Sequence, residues 1–510
     1  MTVQKIRRQP NLLIATPELT FDLDVGMGNL LSIGINFQQG GMAPVTSTDV
    51  ISMENEGTFK VSATAPKWES SLRELNDLMT TEIKIIDSRL PDNFFLISHP
   101  SFNNVKIEGS NTKMYEDSWR FSSADRAIAF SSGIINTLLP KINPDILWVN
   151  DWMLGSVAPV AKALGIKLVA TGHNFFTKFS DLDDLVYKGI ELRKFDNYDP
   201  TKWIWYTNGK FDHMATEINA ADDFITVSEG ILERVLQGKL DYLSPSVTQA
   251  IKNKSYSKHA DGRPRVHGYL NPLEKDNSNF LENVEKYGLE NHIVWRKNNS
   301  ETVRKVTGLK EGGRLVVFPN RFYEQKLPQL LIDNAIYLAH MFDLRILFLA
   351  NGDPRIVKNA GSVAVGSNGM VAYMSYNKKM ENLIKSSDNA YGIMTSEYEP
   401  CGGPNLNYPL EGILIGAHAI DGLRDTVKQL DILKSVGNGF PYENNNSIGL
   451  GYCTSEIAKF ASLPENIRYP QLIRIAKETQ NQHASAPRAK RLVEEIFLPL
   501  YHEKYSTKKK

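Results

Sequence analysis

The stretch Ala390-Tyr391-Gly392-Ile393-Met394-Thr395-Ser396-Glu397-Tyr398-Glu399-Pro400-Cys401-Gly402-Gly403 opens as an apolar run and closes on an acid, a cysteine and two glycines. The run reads as a buried strand, and residues 406–414 beyond it can be helical. A carboxylate and paired glycines therefore fall at a strand end and a helix start. Open α/β sheets bind ligands there, and free helix N–H groups meet phosphate there. An ordinary tight turn would carry the same residues, so the reading needs support from the rest of the chain.

Working outward, short apolar runs separated by helix-length segments recur throughout, the pattern of parallel α/β architecture. The candidate strands are 12–15, 94–98, 146–149, 168–171 and 224–227 in the first half, and 315–318, 346–350, 392–395 and 413–417 in the second. Two such sets predict two doubly wound, Rossmann-like domains, with a ligand in the cleft between their strand C-termini. At 510 residues the chain exceeds what one hydrophobic core usually organises. The polar segment 271–279 is the best linker, and the stretch 480–486 is a second break before an amphipathic helix over 488–501. The expected division is 1–270, 271–485 and a terminal segment 486–510.

Composition narrows the class. Lys+Arg and Asp+Glu both number 58, so no global field points to nucleic acid or anionic membrane. Residues 508–510, all lysine, read as a solvated terminus. The two cysteines, Cys401 and Cys453, form no disulfide framework and no CxxC metal motif, which suits a reducing compartment. No apolar run reaches the length of a membrane span, and residues 1–10 lack a signal-like apolar core. A cytoplasmic protein is expected, with secretion lacking a readable signal as the alternative.

Residues 396–427 resemble the C-terminal sugar-nucleotide loop of the glycogen and starch synthases, retaining glycosyltransferases with two Rossmann-like domains (the GT-B fold). The family pattern is S-R-F-E-P-C-G-L-T-Q-L, a small-residue strand, then T-G-G-L-x-D-T-V. Its counterpart runs from Ser396 through Glu399, Cys401, Gly402, Gly403, Pro404 and Leu406 to Asp421-Gly422-Leu423-Arg424-Asp425-Thr426-Val427, with no gap between. Further segments match in order. Asn143-Pro144-Asp145-Ile146-Leu147-Trp148-Val149-Asn150-Asp151-Trp152 is similar to P-D-(I/V)-x-x-x-H-D-W, and Thr171-Gly172-His173-Asn174 to T-x-H-N. Val317-Phe318-Pro319-Asn320-Arg321-Phe322-Tyr323-Glu324-Gln325-Lys326 resembles a strand followed by (S/G)-R-(L/F)-x-x-Q-K-G. Leu347-Phe348-Leu349-Ala350-Asn351-Gly352-Asp353-Pro354 matches L-x-x-x-G-x-G-D-P, a structural element.

The resemblance implies a transfer of glucose from a nucleotide diphosphate, with retention. Glu399 would hold sugar hydroxyls and help stabilise developing positive charge, and His173 would lie near the sugar. Arg321 and Lys326 would hold the leaving diphosphate, where fixed cations stabilise the transition state. The alternative for that pair is solvation at the surface. Gly402 and Gly403 would assist through backbone N–H groups, beside Cys401 in the same loop. Asp151 would line the acceptor side, Tyr376 would stack on the base, and Asn271 would face the sugar. Gly26 and Gly28 could keep a loop close to phosphate. The terminal helix would return to the first domain. No metal and no cofactor are implied, since Lys and Arg can neutralise the diphosphate.

The chain also departs from the pattern. The family's N-terminal lysine is absent, while Asp22 and Asp24 stand nearby. Asn150 replaces the histidine of H-D-W, and Pro404 stands where a threonine could donate to phosphate. Ile420-Asp421-Gly422 replaces T-G-G, and His418-Ala419 replaces two arginines. Asp24, Pro404 and Asp421 are expected to weaken the diphosphate site. The function expected first is transfer of glucose from ADP- or UDP-glucose to an α-glucan. A redirected transferase acting on a protein or small molecule, and an inactive synthase-like binding protein, remain as alternatives.

Overall fold

The computed structural model describes residues 8–20, 36–37, 42–66, 93–102, 117 and 121–506. Gly26 and Gly28, with Asp22 and Asp24, lie outside the described residues. The chain divides into two units, Met1–Pro272 with Ser485–Lys510, and Leu273–Ala484.

The first unit is built on seven parallel strands: β1 (Asn11–Ala15), β2 (Lys60–Pro66), β3 (Phe94–Ile97), β4 (Ile146–Asn150), β5 (Lys167–Gly172), β6 (Asp223–Thr226) and β7 (Val266–Gly268). Their order is β7-β6-β5-β4-β1-β2-β3. Chain order reverses between β1 and β4, which pair directly with Leu13 opposite Leu147. A reversal of this kind opens a crevice at the strand C-termini. Asn150 and Asp151 leave β4 at that point, and His173 leaves the neighbouring β5.

The second unit has six parallel strands: β8 (Arg314–Phe318), β9 (Leu344–Leu349), β10 (Val371–Met374), β11 (Ala390–Met394), β12 (Leu414–His418) and β13 (Gly439–Tyr442). Their order is β10-β9-β8-β11-β12-β13, so the reversal falls between β8 and β11. Helices cover both faces, and alternation along each strand serves both layers. Val316, Phe318, Ile346, Phe348 and Ile393 join one buried cluster, and Leu315, Val317, Leu347, Leu349 and Met394 join the other. Burial on both sides is why these strands read as continuous apolar runs.

Three strands carry no such run. β2 is Lys-Val-Ser-Ala-Thr-Ala-Pro, small and half polar, and β7, Val-His-Gly, and β13 lie at sheet edges. The sequence Gly-Phe-Pro-Tyr of β13 is typical of an edge, where proline breaks no ladder on its outer side.

Three local expectations change. The helix expected over 406–414 runs instead over Pro404–Leu410, with Gly412 at φ +72° turning the chain into β12. The expected break over 480–486 is mostly helix, since Glu465–His483 is continuous and only Ala484 separates it from Ser485–Leu492. In the linker, Ser278 caps a helix that begins at Asn279, its hydroxyl accepting from Leu281 N.

The terminal segment consists of Ser485–Leu492, a π-helical turn Val493–Phe497, and Leu498–Ser506. Leu492, Val493, Ile496, Phe497, Leu500 and Tyr501 belong to the core of the first unit. The Phe497 ring lies 5.3 Å from Trp148 of β4 and 6.0 Å from Phe59. Arg488 donates to Leu270 O at 2.8 Å and pairs with the buried Asp49.

Candidate active site

In the second unit the loops leaving β8 and β11 are tied together by backbone and side-chain bonds. Thr395 Oγ1 donates to Lys326 O at 2.8 Å and to Leu327 O at 2.9 Å. Glu397 N donates to Gln325 O at 2.9 Å, and Gln325 Nε2 donates to Tyr398 O at 3.1 Å. Leu327 sits at φ +43°, ending the turn Glu324–Lys326 ahead of Pro328, the first residue of the next helix. These ties bring Lys326 Nζ to 2.8 Å from Glu399 Oε1 and 2.6 Å from Oε2. Ser396 Oγ donates to Oε2 at 3.0 Å. Glu399 is 6% exposed, so water screens this pair poorly.

The backbone of Glu399 is held as tightly as its side chain. Its N–H donates to Asp421 Oδ2 at 2.9 Å, and its C=O accepts from Gly422 N at 3.0 Å. Asp421 was expected as an added anion facing phosphate. It is fully buried instead, with its carboxylate on Glu399 N–H. His418 Nδ1 donates to Ser396 O at 2.8 Å, bracing the same loop.

Gly402 and Gly403 follow in the turn before the helix Pro404–Leu410. Gly402 has φ +83°, and a Cβ there would lie 2.1 Å from Asn405 Oδ1, so glycine is required twice over. Cys401 is buried, and its carbonyl accepts from Asn405 Nδ2 at 3.0 Å. Pro404 occupies the first helical position, where it offers no N–H.

Arg321, Tyr376 and Asn271 make contacts of their own. Arg321 is exposed, its guanidinium 5.0 Å from the Tyr323 ring centroid. Tyr376 is half-exposed, with its hydroxyl on Glu381 Oε2 at 2.8 Å and its N–H on Asn351 Oδ1 at 3.1 Å. Asn271, partly buried, falls at the end of the first unit.

In the first unit the strand ends of β4 and β5 bring Asp151 and His173 together. Asp151 takes φ +64°, a strained backbone for a residue with a Cβ. Its Oδ1 accepts from His173 N at 2.9 Å. Burial raises its carboxyl to about 7 despite this bond. The His173 ring is buried, with Nε2 3.1 Å from Asn150 Oδ1, while Asn150 Nδ2 donates to Ala15 O at 3.3 Å. The amide orientation makes His173 Nε2 the donor. Burial, with Arg488 adding to it, lowers the imidazole to about 3, so the ring is neutral. Asn150 thus holds the ring from the adjacent strand end, a role that its place as a departure from the motif did not announce.

Glu217 also escaped the sequence reading. It lies on the helix His213–Ala220, fully buried, and neither carboxyl oxygen has a hydrogen-bond partner among the described residues. Burial first, and the Asp151 charge second, push it well above the ordinary carboxylate range. The unfolded chain releases this proton near pH ~4.3. Stability is therefore full below that value and is lost as pH rises towards the folded value. Glu217→Gln cannot ionise, so its melting temperature relative to wild type is expected to improve steadily between pH 5 and pH 8. A margin that stays constant across that range would show that Glu217 does not titrate in this way.

Among the described residues no group of three or more His, Cys, Asp and Glu side chains is arranged to hold a metal ion, and no helix is long and apolar enough to cross a membrane. Residues 39–244 match the family model described as the starch synthase catalytic domain. The chain is 25% identical over 354 residues to a glycogen synthase of Thermosipho melanesiensis, covering 64% of this chain and 67% of that protein. It is 23% identical over 411 residues to a glycogen synthase of Trichodesmium erythraeum, covering 76% and 77%. The structure of the catalytic domain of starch synthase IV from Arabidopsis thaliana, bound to ADP and acarbose, superimposes with a TM-score of 0.71 at 18% identity, covering 98% of this chain and 100% of that one. These matches make the chain similar to the glycogen and starch synthases, and the superposition, with the two parallel sheets, shows the two-domain α/β architecture of the GT-B fold.

Proposed function

We propose that the protein is a retaining glucosyltransferase that moves glucose from ADP- or UDP-glucose to an α-glucan. The observation that carries this reading is the buried Lys326–Glu399 pair at the reversal point of the second sheet. In the reaction the bond between the anomeric carbon and the diphosphate oxygen breaks, and its electron pair leaves with the nucleoside diphosphate. An acceptor hydroxyl forms the new bond on the same face of the sugar and gives its proton to the departing phosphate oxygen. Lys326 and Arg321 balance the charge that builds on the diphosphate. Backbone N–H groups of Gly402 and Gly403 assist, beside Cys401. Glu399 orients sugar hydroxyls and offsets positive charge at the anomeric carbon. Tyr376, its hydroxyl anchored on Glu381, offers a ring face to the base.

In the first unit, the neutral His173 gives its one ring N–H to Asn150 and leaves Nδ1 as an acceptor for a sugar hydroxyl, adding no positive charge near an oxocarbenium-like sugar. Asp151 and Asn271 bind sugar or acceptor hydroxyls. The charges are met by side chains of this chain, and the reaction requires no metal or organic cofactor. The two buried free thiols fit a reducing, cytoplasmic setting.

Donor binding is expected to be weak. Pro404 withholds one backbone donor, and Glu399 already compensates the Lys326 charge. A dissociation constant on the order of 0.1 mM or weaker is expected for ADP-glucose and UDP-glucose without acceptor, equivalent to about 5 kcal/mol. Slow elongation of plain glycogen should accompany it. Calorimetry with both donors, paired with nucleotide release from a panel of nucleotide sugars with and without glycogen, tests the reading. Release from no donor under any acceptor condition would exclude transfer. Micromolar binding with rapid elongation would show that the altered loops cost nothing.

A further inference from the structure

The turn at Asp421-Gly422 is built around one residue, Glu399. Consecutive groups of this turn hold the two peptide units that flank the Glu399 Cα. The Asp421 carboxylate accepts the N–H at 2.9 Å, and Gly422 N donates to the C=O at 3.0 Å. The fit leaves no slack. A Cβ at Gly422 would lie 2.5 Å from Cys401 Cα and 2.7 Å from Cys401 O.

Asp421 itself adopts φ +43°, a region where a Cβ is costly and glycine is at ease. The resembled family carries glycine at this place, so the turn alone does not call for a side chain. Such strain persists where the surroundings over-determine it, and here the return is the bond to Glu399 N–H. The carboxylate is fully buried, which removes it from any contact with solvent. The Glu399 side chain is fixed at its far end by Lys326 and Ser396. Asp421 supplies the matching constraint at the near end.

We propose that Asp421 is a positioning residue for Glu399, its buried carboxylate fixing the backbone from which Glu399 reaches the donor sugar. The role of Glu399 rests on the glucosyltransferase reading above. The clamp itself does not.

Two variants separate positioning from folding. Asp421→Gly removes the acceptor and at the same time relieves the backbone strain, so the chain keeps its fold. Its melting temperature should equal or exceed that of wild type, and ADP affinity should stay within about 2-fold, since no diphosphate contact is removed. Its kcat with the best nucleotide sugar should fall by roughly 10- to 100-fold, the scale of a small misplacement of a reacting group. Asp421→Asn retains an acceptor oxygen and should recover kcat to within about 5-fold of wild type, as expected for an interaction that needs the oxygen more than the charge. Amide hydrogen exchange at Glu399 gives a readout independent of activity: protection should be lost in Asp421→Gly and kept in Asp421→Asn.

Wild-type turnover in Asp421→Gly, or unchanged protection at Glu399 N–H, overturns the proposal. So does an Asp421→Asn enzyme as slow as Asp421→Gly, or a rate loss matched by a collapse of melting temperature. A wild-type protein that releases nucleotide from no donor would refute the glucosyltransferase reading and the functional half of this proposal. The exchange measurement would then still decide whether the clamp exists.

Discussion

Glu399→Gln and Lys326→Ala are each expected to lower turnover by roughly two or more orders of magnitude, the scale of losing an electrostatic stabiliser in a site that water screens poorly. The two variants should differ in stability. Lys326→Ala strands a carboxylate that is 7% exposed and leaves it the Ser396 hydroxyl as a side-chain donor. Breaking a buried pair in this way costs about 3 kcal/mol. Glu399→Gln leaves the ammonium, 13% exposed, with an amide oxygen to bind and a shorter path to water. Its fold should suffer less while its rate falls as far. Steady-state kinetics and urea unfolding of both variants and of the double variant give the coupling directly. Independent, additive losses of rate would show that Lys326 and Glu399 do not act as a unit. Near-wild-type turnover in both would exclude this site.

Phe497→Ala is expected to produce the largest loss of stability from a site far in sequence from the strands it covers. The ring is fully buried between Trp148 and Phe59, at 5.3 and 6.0 Å. Truncation removes the transfer energy of the ring and leaves a cavity that the surrounding strands can only partly fill, a cost of about 4 kcal/mol. The urea midpoint should fall with little change in slope. Phe497→Leu should recover most of the loss, because it restores apolar volume. A Phe497→Ala protein with an unchanged midpoint would mean that the terminal segment contributes little to the first unit.

Individual residues show what was legible in the sequence. The strand under Gly392 and Ile393 was readable because both faces are covered, so every side chain is apolar. Strands such as Lys60–Pro66, built from small and polar residues, left no run to read. Lys326 and Glu399 could each be placed at a strand end from the motif. Their bidentate contact depends on Thr395 and Gln325 binding across two loops 69 or more residues apart. Asn150 looked like a lost histidine until the pairing of β4 with β5 set it against His173. Asp421 looked like an anion added to a phosphate site, since sequence gives the charge of a side chain but not its direction. Glu217 carried no signal, because an acid on a helix is usually solvated.

By itself the sequence determined the α/β class, the two strand sets and the strand ends that carry the acids, cations and glycines. Each of these follows from local rules: burial makes a strand apolar, and a strand that feeds a helix needs a turn. Only the tertiary structure decided which strands are neighbours, where their order reverses and which of those side chains meet. It also decided that Asp421 faces Glu399 N–H and that Glu217, among the described residues, lies without a hydrogen-bond partner near Asp151. Those outcomes depend on the direction of side chains brought together over long loops, and no local spacing encodes that direction.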